Sequence, residues 1–189
     1  MRSFDPVLVG ELECAAWVAY YHRRWGRFLH LMIHLVRAGF GLSWPRAALG
    51  AALVLRALQL WAPHPDNDPD GARRAMARFF ALVARAHGEA VDPAEAGRLE
   101  VEWWRLHRDL QRTPDSDGLE PLVDAVAAVY ARAYRLSEGA VRPAAADRVE
   151  AMRLCGRWVA TGQHPGSPHL ADVREALVHS YRILRAMVG

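Results

Sequence analysis

Lysine is absent from this chain of 189 residues, and all 24 of its basic residues are arginine. Without lysine, the protein cannot form a Schiff base, hold pyridoxal phosphate as an internal aldimine, or use a lysine-containing phosphate loop. Asparagine occurs once, as Asn67, and isoleucine only as Ile33 and Ile183. The accompanying excess of Ala, Arg and Gly is typical of a GC-rich bacterial genome.

Cysteine is also scarce. Cys14 and Cys155 are the only two, and they form no C-x-x-C pair. The residues after Met1 do not form the apolar segment of a signal peptide. We therefore expect free thiols and a reducing, cytoplasmic setting. The net charge of +3 is too small to indicate nucleic-acid binding by charge alone.

Apolar residues are plentiful, at 52% of the chain, and seven of them are tryptophan. This provides ample surface for a large buried core. Apolar positions recur with helical spacing, and no alternating segments bounded by hairpin turns are found, which predicts the all-α class. The Pro- and Gly-rich connectors are short. The sequence therefore predicts a compact single-domain bundle of about seven helices over residues 1–189.

Most of these helices are predicted to begin at a capping residue followed by proline. A capping box from Asp117 to Glu120 predicts the start of the fifth, and Ser137 offers an earlier turn before the sixth. The predicted ranges are Pro6–Ala38, Pro45–Trp61, Pro69–Gly88, Pro93–Arg112, Asp117–Leu136, Pro143–Thr161 and Pro168–Met187.

Residues 66–71 read Asp-Asn-Asp-Pro-Asp-Gly, which is the first half of a calcium-loop signature. Asp66, Asp68 and Asp70 would supply three ligand oxygens. Ala77 occupies the position of the bidentate glutamate that such a loop requires. Helix capping explains Asp68 and Asp70 without a metal, because Asp68 precedes a proline and Asp70 complements the helix dipole. We favour capping, which leaves Asp66 without a role.

An Arg/His stripe runs along the first predicted helix. His30 and His34 have a spacing that can bind zinc, but Arg23, Arg27 and Arg37 share their face and would repel a cation. The stripe therefore suits an anion, such as a phosphate, an acidic protein surface or a lipid headgroup. A solvated charged face is the simpler interpretation, and we favour it.

Polar side chains also lie at the edge of the apolar stripe of the fourth predicted helix. Glu100, Trp104 and His107 share one line along it. A half-buried Glu and His are the components of a helical-bundle metal or acid–base site, with Glu13 and Tyr20 of the first helix as expected partners. A structural cluster, in which an arginine from another helix pairs with Glu100, is the simpler interpretation.

The second predicted helix is apolar almost all round and contains Arg56. One interpretation buries this helix at the centre of the bundle, with Arg56 paired to a carboxylate such as Glu13 or Glu100. The other places the helix in a membrane interface, flanked by Trp44 and Trp61. We favour burial.

No nucleophile–base pair, Gly-rich phosphate loop or complete metal motif is visible in the sequence. The favoured hypothesis is a helical binding or assembly protein that uses its Arg/aromatic surface for a protein partner or a small ligand. The first alternative is a metal-dependent, oxidase-like bundle enzyme that uses Glu13, Glu100 and His107. The second is a peripheral membrane-surface protein. We expect no cofactor and no nucleic-acid partner. A metal ion is expected only if the loop at residues 66–71 binds calcium or the enzyme hypothesis holds.

Overall fold

The computed structural model describes residues 3–112 and 118–189, which contain eight helices and no strand. The predicted all-α class is therefore confirmed. In chain order, the helices are α1 Pro6–Tyr21, α2 Trp25–Phe40, α3 Trp44–Trp61, α4 Pro69–His87, α5 Pro93–Arg112, α6 Glu120–Tyr134, α7 Glu138–Ala160 and α8 Pro168–Val188.

Side-chain caps begin several of these helices, as the sequence predicts. The side chains of Asp5, Asp68, Asp92 and Ser167 accept hydrogen bonds of 2.7–3.3 Å from backbone amides two or three residues later. Each of these residues is followed by a proline, whose missing amide hydrogen is not needed in the first turn of a helix. The boundaries of α1, α4, α5 and α8 are thus determined locally.

The prediction of one long helix from Pro6 to Ala38 is wrong. The chain breaks between Tyr21 and Trp25, where Arg23 adopts a left-handed φ of 55°. An unbroken helix of this length would measure about 50 Å. The longest helix of the protein has 23 residues, so such a helix would project well beyond its neighbours. No glycine or proline marks the break.

Two further boundaries differ from the prediction. α7 begins at Glu138 after the cap Ser137, which places Pro143 inside the helix, near its start. The capping residue proposed for α6, Asp117, lies outside the described residues. α6 itself begins at Glu120, and among the described residues no side chain caps it with a hydrogen bond.

The helices form a closed ring. Each packs mainly against its neighbours in the chain, and α8 returns to pack against α1. The C-terminal ends of the odd-numbered helices meet at one end of the ring. There the Gln111 amide of α5 donates to the Tyr21 hydroxyl of α1 at 3.1 Å, and Arg108 of α5 donates to the carbonyl of Trp61 in α3 at 2.6 Å.

Glycine allows close approach at two helix contacts in this ring. A Cβ atom at Gly97 would lie 2.6 Å from the backbone nitrogen of Ala77, where α5 meets α4. A Cβ atom at Gly10 would lie 2.9 Å from the backbone nitrogen of Val178, where α1 meets α8. Any larger residue would push these helices apart.

In the described part of the chain, no single helix is long and apolar enough to cross a bilayer. α2 and α3 reach the required length and hydropathy only as a pair, and the pair is bent by 118°.

Candidate functional site

A cavity of about 540 Å³ lies inside the ring, and residues from all eight helices line it. Its volume falls within the range of small-molecule pockets. The wall is mainly apolar and rich in aromatic rings, which include Trp17, Phe28, Phe79, Trp103, Trp104 and Tyr134.

A buried ion pair forms one part of this wall. Arg148 of α7 donates to the carboxylate of Glu13 on α1 and to the hydroxyls of Tyr130 and Tyr181, both at 3.1 Å. The Tyr181 hydroxyl in turn donates to the second Glu13 oxygen at 2.5 Å. The Trp103 ring centre lies 5.7 Å from the guanidinium carbon. The cluster therefore joins α1, α6, α7 and α8 and satisfies both charges internally.

Burial and mutual attraction keep this cluster in one protonation state. Burial lowers the pKa of Arg148, but the Glu13 carboxylate outweighs this effect and raises that pKa well above its usual value. Burial and the same carboxylate raise the pKa of the Tyr181 hydroxyl well above its usual value. At neutral pH, Arg148 is therefore charged and Tyr181 retains its proton.

Glu100 and His107 line the same cavity, two turns apart on α5. Burial raises the pKa of Glu100, although the charge of Arg148 and the indoles of Trp103 and Trp104 oppose this effect. Burial lowers the pKa of His107 to about 4. His107 is therefore neutral at pH 7, and Glu100 is shifted toward its neutral form. These two groups place polar atoms in an otherwise mainly apolar wall.

The structure brings together most of the residues predicted to form a buried polar cluster. Glu13, Tyr20, Glu100, Trp104 and His107 all line the cavity. Their spacing along α1 and α5 was the signal that located them.

Arg56 does not belong to this cluster. Its side chain is exposed, so the prediction that it pairs with a buried carboxylate is wrong. The arginine that fills this role is Arg148. It occupies the apolar stripe of α7 between Ala144 and Met152, one turn from each. A charged residue within an apolar helical stripe was the signal that could have found it.

The Arg/His stripe lies on the outside of the ring. The rings of His30 and His34 are 4.7 Å apart, and the exposed Trp44 lies 5.2 Å from the His34 ring. Arg37 lies over Trp44 at 4.5 Å. The exposed members of the stripe are Arg23, Arg27, His30 and Arg37.

The acidic string before α4 acts in capping. Asp68 accepts a 2.7 Å hydrogen bond from the Gly71 amide, and Asp70 pairs with Arg73 at 2.8 Å. Asp66 is exposed. Across residues 3–112 and 118–189, no three His, Cys, Asp or Glu side chains are grouped so as to hold a metal ion.

The cavity reaches the surface where the C-terminal ends of α1, α3 and α5 meet. We call this opening the mouth. Arg108 is half-buried there, and its guanidinium lies 4.0 Å from the Trp61 ring centre. Nη1 of Arg112 lies 2.8 Å from Nε2 of His64. The exposed residues that line the cavity are all at the mouth: Ala62, His64, Gln111 and Arg112.

No protein-family model, curated protein or solved structure matches this chain. Function is therefore inferred from the cavity itself.

Proposed function

We propose that the protein binds an apolar small molecule inside the ring of helices. The observation that carries this proposal is the cavity of about 540 Å³, lined from all eight helices. Protein interiors are normally close-packed, and voids larger than a water molecule are few. A large space enclosed by aromatic side chains and open at a mouth fits a ligand site better than it fits a core.

The polar groups of the cavity would orient the ligand. Neutral His107 offers one ring N–H donor and one ring-nitrogen acceptor, and the Glu100 carboxyl group offers two oxygen atoms. These groups suit a carbonyl, ether or hydroxyl oxygen on an otherwise apolar molecule. The Glu13–Arg148 pair is already satisfied by its own partners, so it contributes shape and rigidity to the wall.

This proposal narrows the hypothesis favoured from the sequence, since it places a small ligand inside the ring and requires no contact with the Arg/His stripe. It also differs from the oxidase-like alternative. That enzyme would need Glu13 as a metal ligand, but both Glu13 oxygens already accept hydrogen bonds, from Arg148 and Tyr181.

A fluorescence titration with the neutral dye N-phenyl-1-naphthylamine tests the proposal, because this dye brightens in apolar surroundings. Ala133 lines the cavity, whereas Ala171 is exposed on α8. We expect saturable binding to the wild type. Ala133→Met should weaken binding about tenfold or more by filling the cavity, whereas Ala171→Met should leave it unchanged.

A second filling variant, Ala16→Met, serves if Ala133→Met does not fold, since Ala16 also lines the cavity. The proposal fails if the wild type does not bind the dye. It also fails if folded filling variants bind the dye as tightly as the wild type does.

A further inference from the structure

We propose that the ligand carries an anionic group at one end, and that Arg108 and Arg112 bind this group at the mouth. The ligand class is then an anionic amphiphile, with an apolar chain or ring system that ends in a carboxylate or a phosphate. This inference rests on the proposed function and adds the chemistry of one end of the ligand.

The two arginines are placed to act together. They are four residues apart on α5, so their side chains leave the helix on the same side. Both line the cavity at its mouth. Guanidinium groups match carboxylate and phosphate geometry through paired N–H donors, which makes arginine well suited to these anions.

Arg108 is already held in position before any ligand binds. Its Nη2 donates to the Trp61 carbonyl at 2.6 Å, and its guanidinium stacks on the Trp61 ring. A guanidinium has five N–H donors, so this contact leaves four for other acceptors. A side chain that is fixed in advance loses less conformational entropy on binding.

The mouth arginines lack the partners that other arginines of the same helix have. Arg98 and Arg105, on the outer face of α5, form ion pairs of 2.7–2.8 Å with carboxylates of that helix. Within the described residues, neither Arg108 nor Arg112 forms an ion pair with a carboxylate. Burial and the nearby charge of Arg112 lower the pKa of Arg108, although Tyr20 and Asp109 oppose this effect. An anion between the two arginines would offset both the cost of burying the Arg108 charge and its repulsion by Arg112.

The depth of the cavity does not suit an anion. Arg148 is already neutralised by Glu13. His107 is uncharged at neutral pH, and the carboxyl group of Glu100 carries no positive charge in either protonation state. The anionic end therefore belongs at the mouth, with the apolar end inside the ring.

Displacement of N-phenyl-1-naphthylamine by decanoate, decyl phosphate and decanol tests this inference. The three probes share one chain length and differ in the head group. We expect at least one of the two anions to displace the dye at about tenfold lower concentration than decanol does. The anion that displaces the dye at the lower concentration shows whether the site prefers a carboxylate or a phosphate.

Arg108→Gln and Arg112→Gln should each reduce this preference for the anion, measured as the ratio of the decanol concentration to the anion concentration that displaces half of the dye. Arg105→Gln is the matched control, because Arg105 lies on the same helix and does not contribute to the described cavity wall. Arg112→Gln leaves the Trp61 contact intact, so it keeps the test decisive if Arg108→Gln does not fold.

Equal displacement by the anions and by decanol would overturn the inference, as would an anion preference that persists in both mouth variants. If the dye binds but none of the three probes displaces it, this inference fails while the proposed function stands. If the dye itself does not bind, both fail.

Discussion

The Glu13–Arg148 pair joins two residues that are 135 positions apart in the chain, and its side chains are only 6% and 15% exposed. Glu13→Gln leaves the Arg148 charge buried without its counter-ion. We expect the free energy of unfolding to fall by about 3–5 kcal/mol, measured by urea denaturation. Arg142→Gln removes two more exposed ion pairs, with Glu120 and Asp124, and should cost about 1 kcal/mol or less. Equal effects of the two substitutions would contradict a structural role for the buried pair.

His107 should make the folded protein sensitive to acid. Its pKa is about 4 in the folded protein, against 6.5 for an ordinary histidine. Between these pH values, the unfolded chain binds a proton that the folded protein does not. Stability is therefore lost as pH falls from about 6.5 to 4, by up to about 3 kcal/mol from this residue.

The variant His107→Gln should lose less stability across this pH window than the wild type, as measured by urea denaturation at several pH values. His30→Gln, which changes an exposed histidine, should keep the wild-type slope. If His107→Gln shows the wild-type slope too, a low pKa of His107 in the folded protein is wrong.

The sequence predicts some of the polar residues that line the cavity and not others. Glu100, Trp104 and His107 share one helix, so their spacing alone places them on one line. Arg148, Tyr130 and Tyr181 join the site from three other helices. Whether these three residues come into contact depends on which helix faces pack together. The periodicity of a single helix does not contain this information.

The turn between α1 and α2 contains Arg23, whose φ of 55° lies in the left-handed region. A left-handed φ costs an L-residue about 1–2 kcal/mol and costs glycine little. We expect Arg23→Gly to raise the free energy of unfolding by about 0.5–1 kcal/mol after the entropy of glycine in the unfolded chain is included. Arg27→Gly, inside α2, should lower it by about 1 kcal/mol. Thermal and urea unfolding would measure both, and a loss of stability in Arg23→Gly would contradict the described turn.

The helix boundaries show which structural information is local. Asp5, Asp68, Asp92 and Ser167 begin helices because the cap and the following proline act within one turn. The break near Arg23 has no such local signal. The break instead keeps α1 and α2 close in length to the helices they pack against. This constraint on length arises only once the ring has closed.

For the whole molecule, the sequence predicts the all-α class and a number of helices close to the eight described. It does not predict the ring or its cavity. Seven of the eight main helix contacts join consecutive helices, but the contact that closes the ring joins α8 to α1. The space left inside depends on this closure and on large aromatic side chains that line the interior without filling it.

Binding of a ligand inside the ring can be detected directly through the seven indole N–H signals in a ¹H–¹⁵N correlation spectrum. Trp158 is an internal control, because it is fully buried in a second apolar cluster. Trp44 is a surface control, at 50% exposure. The tryptophans that line the cavity in the described structure are Trp17, Trp61, Trp103 and Trp104.

When N-phenyl-1-naphthylamine is added, ring-current shifts should move the four cavity signals in proportion to occupancy. The signals of Trp44 and Trp158 should stay in place. If the Trp103 and Trp104 signals remain unshifted while that of Trp44 or Trp158 moves, the dye binds elsewhere and the ligand site inside the ring is wrong.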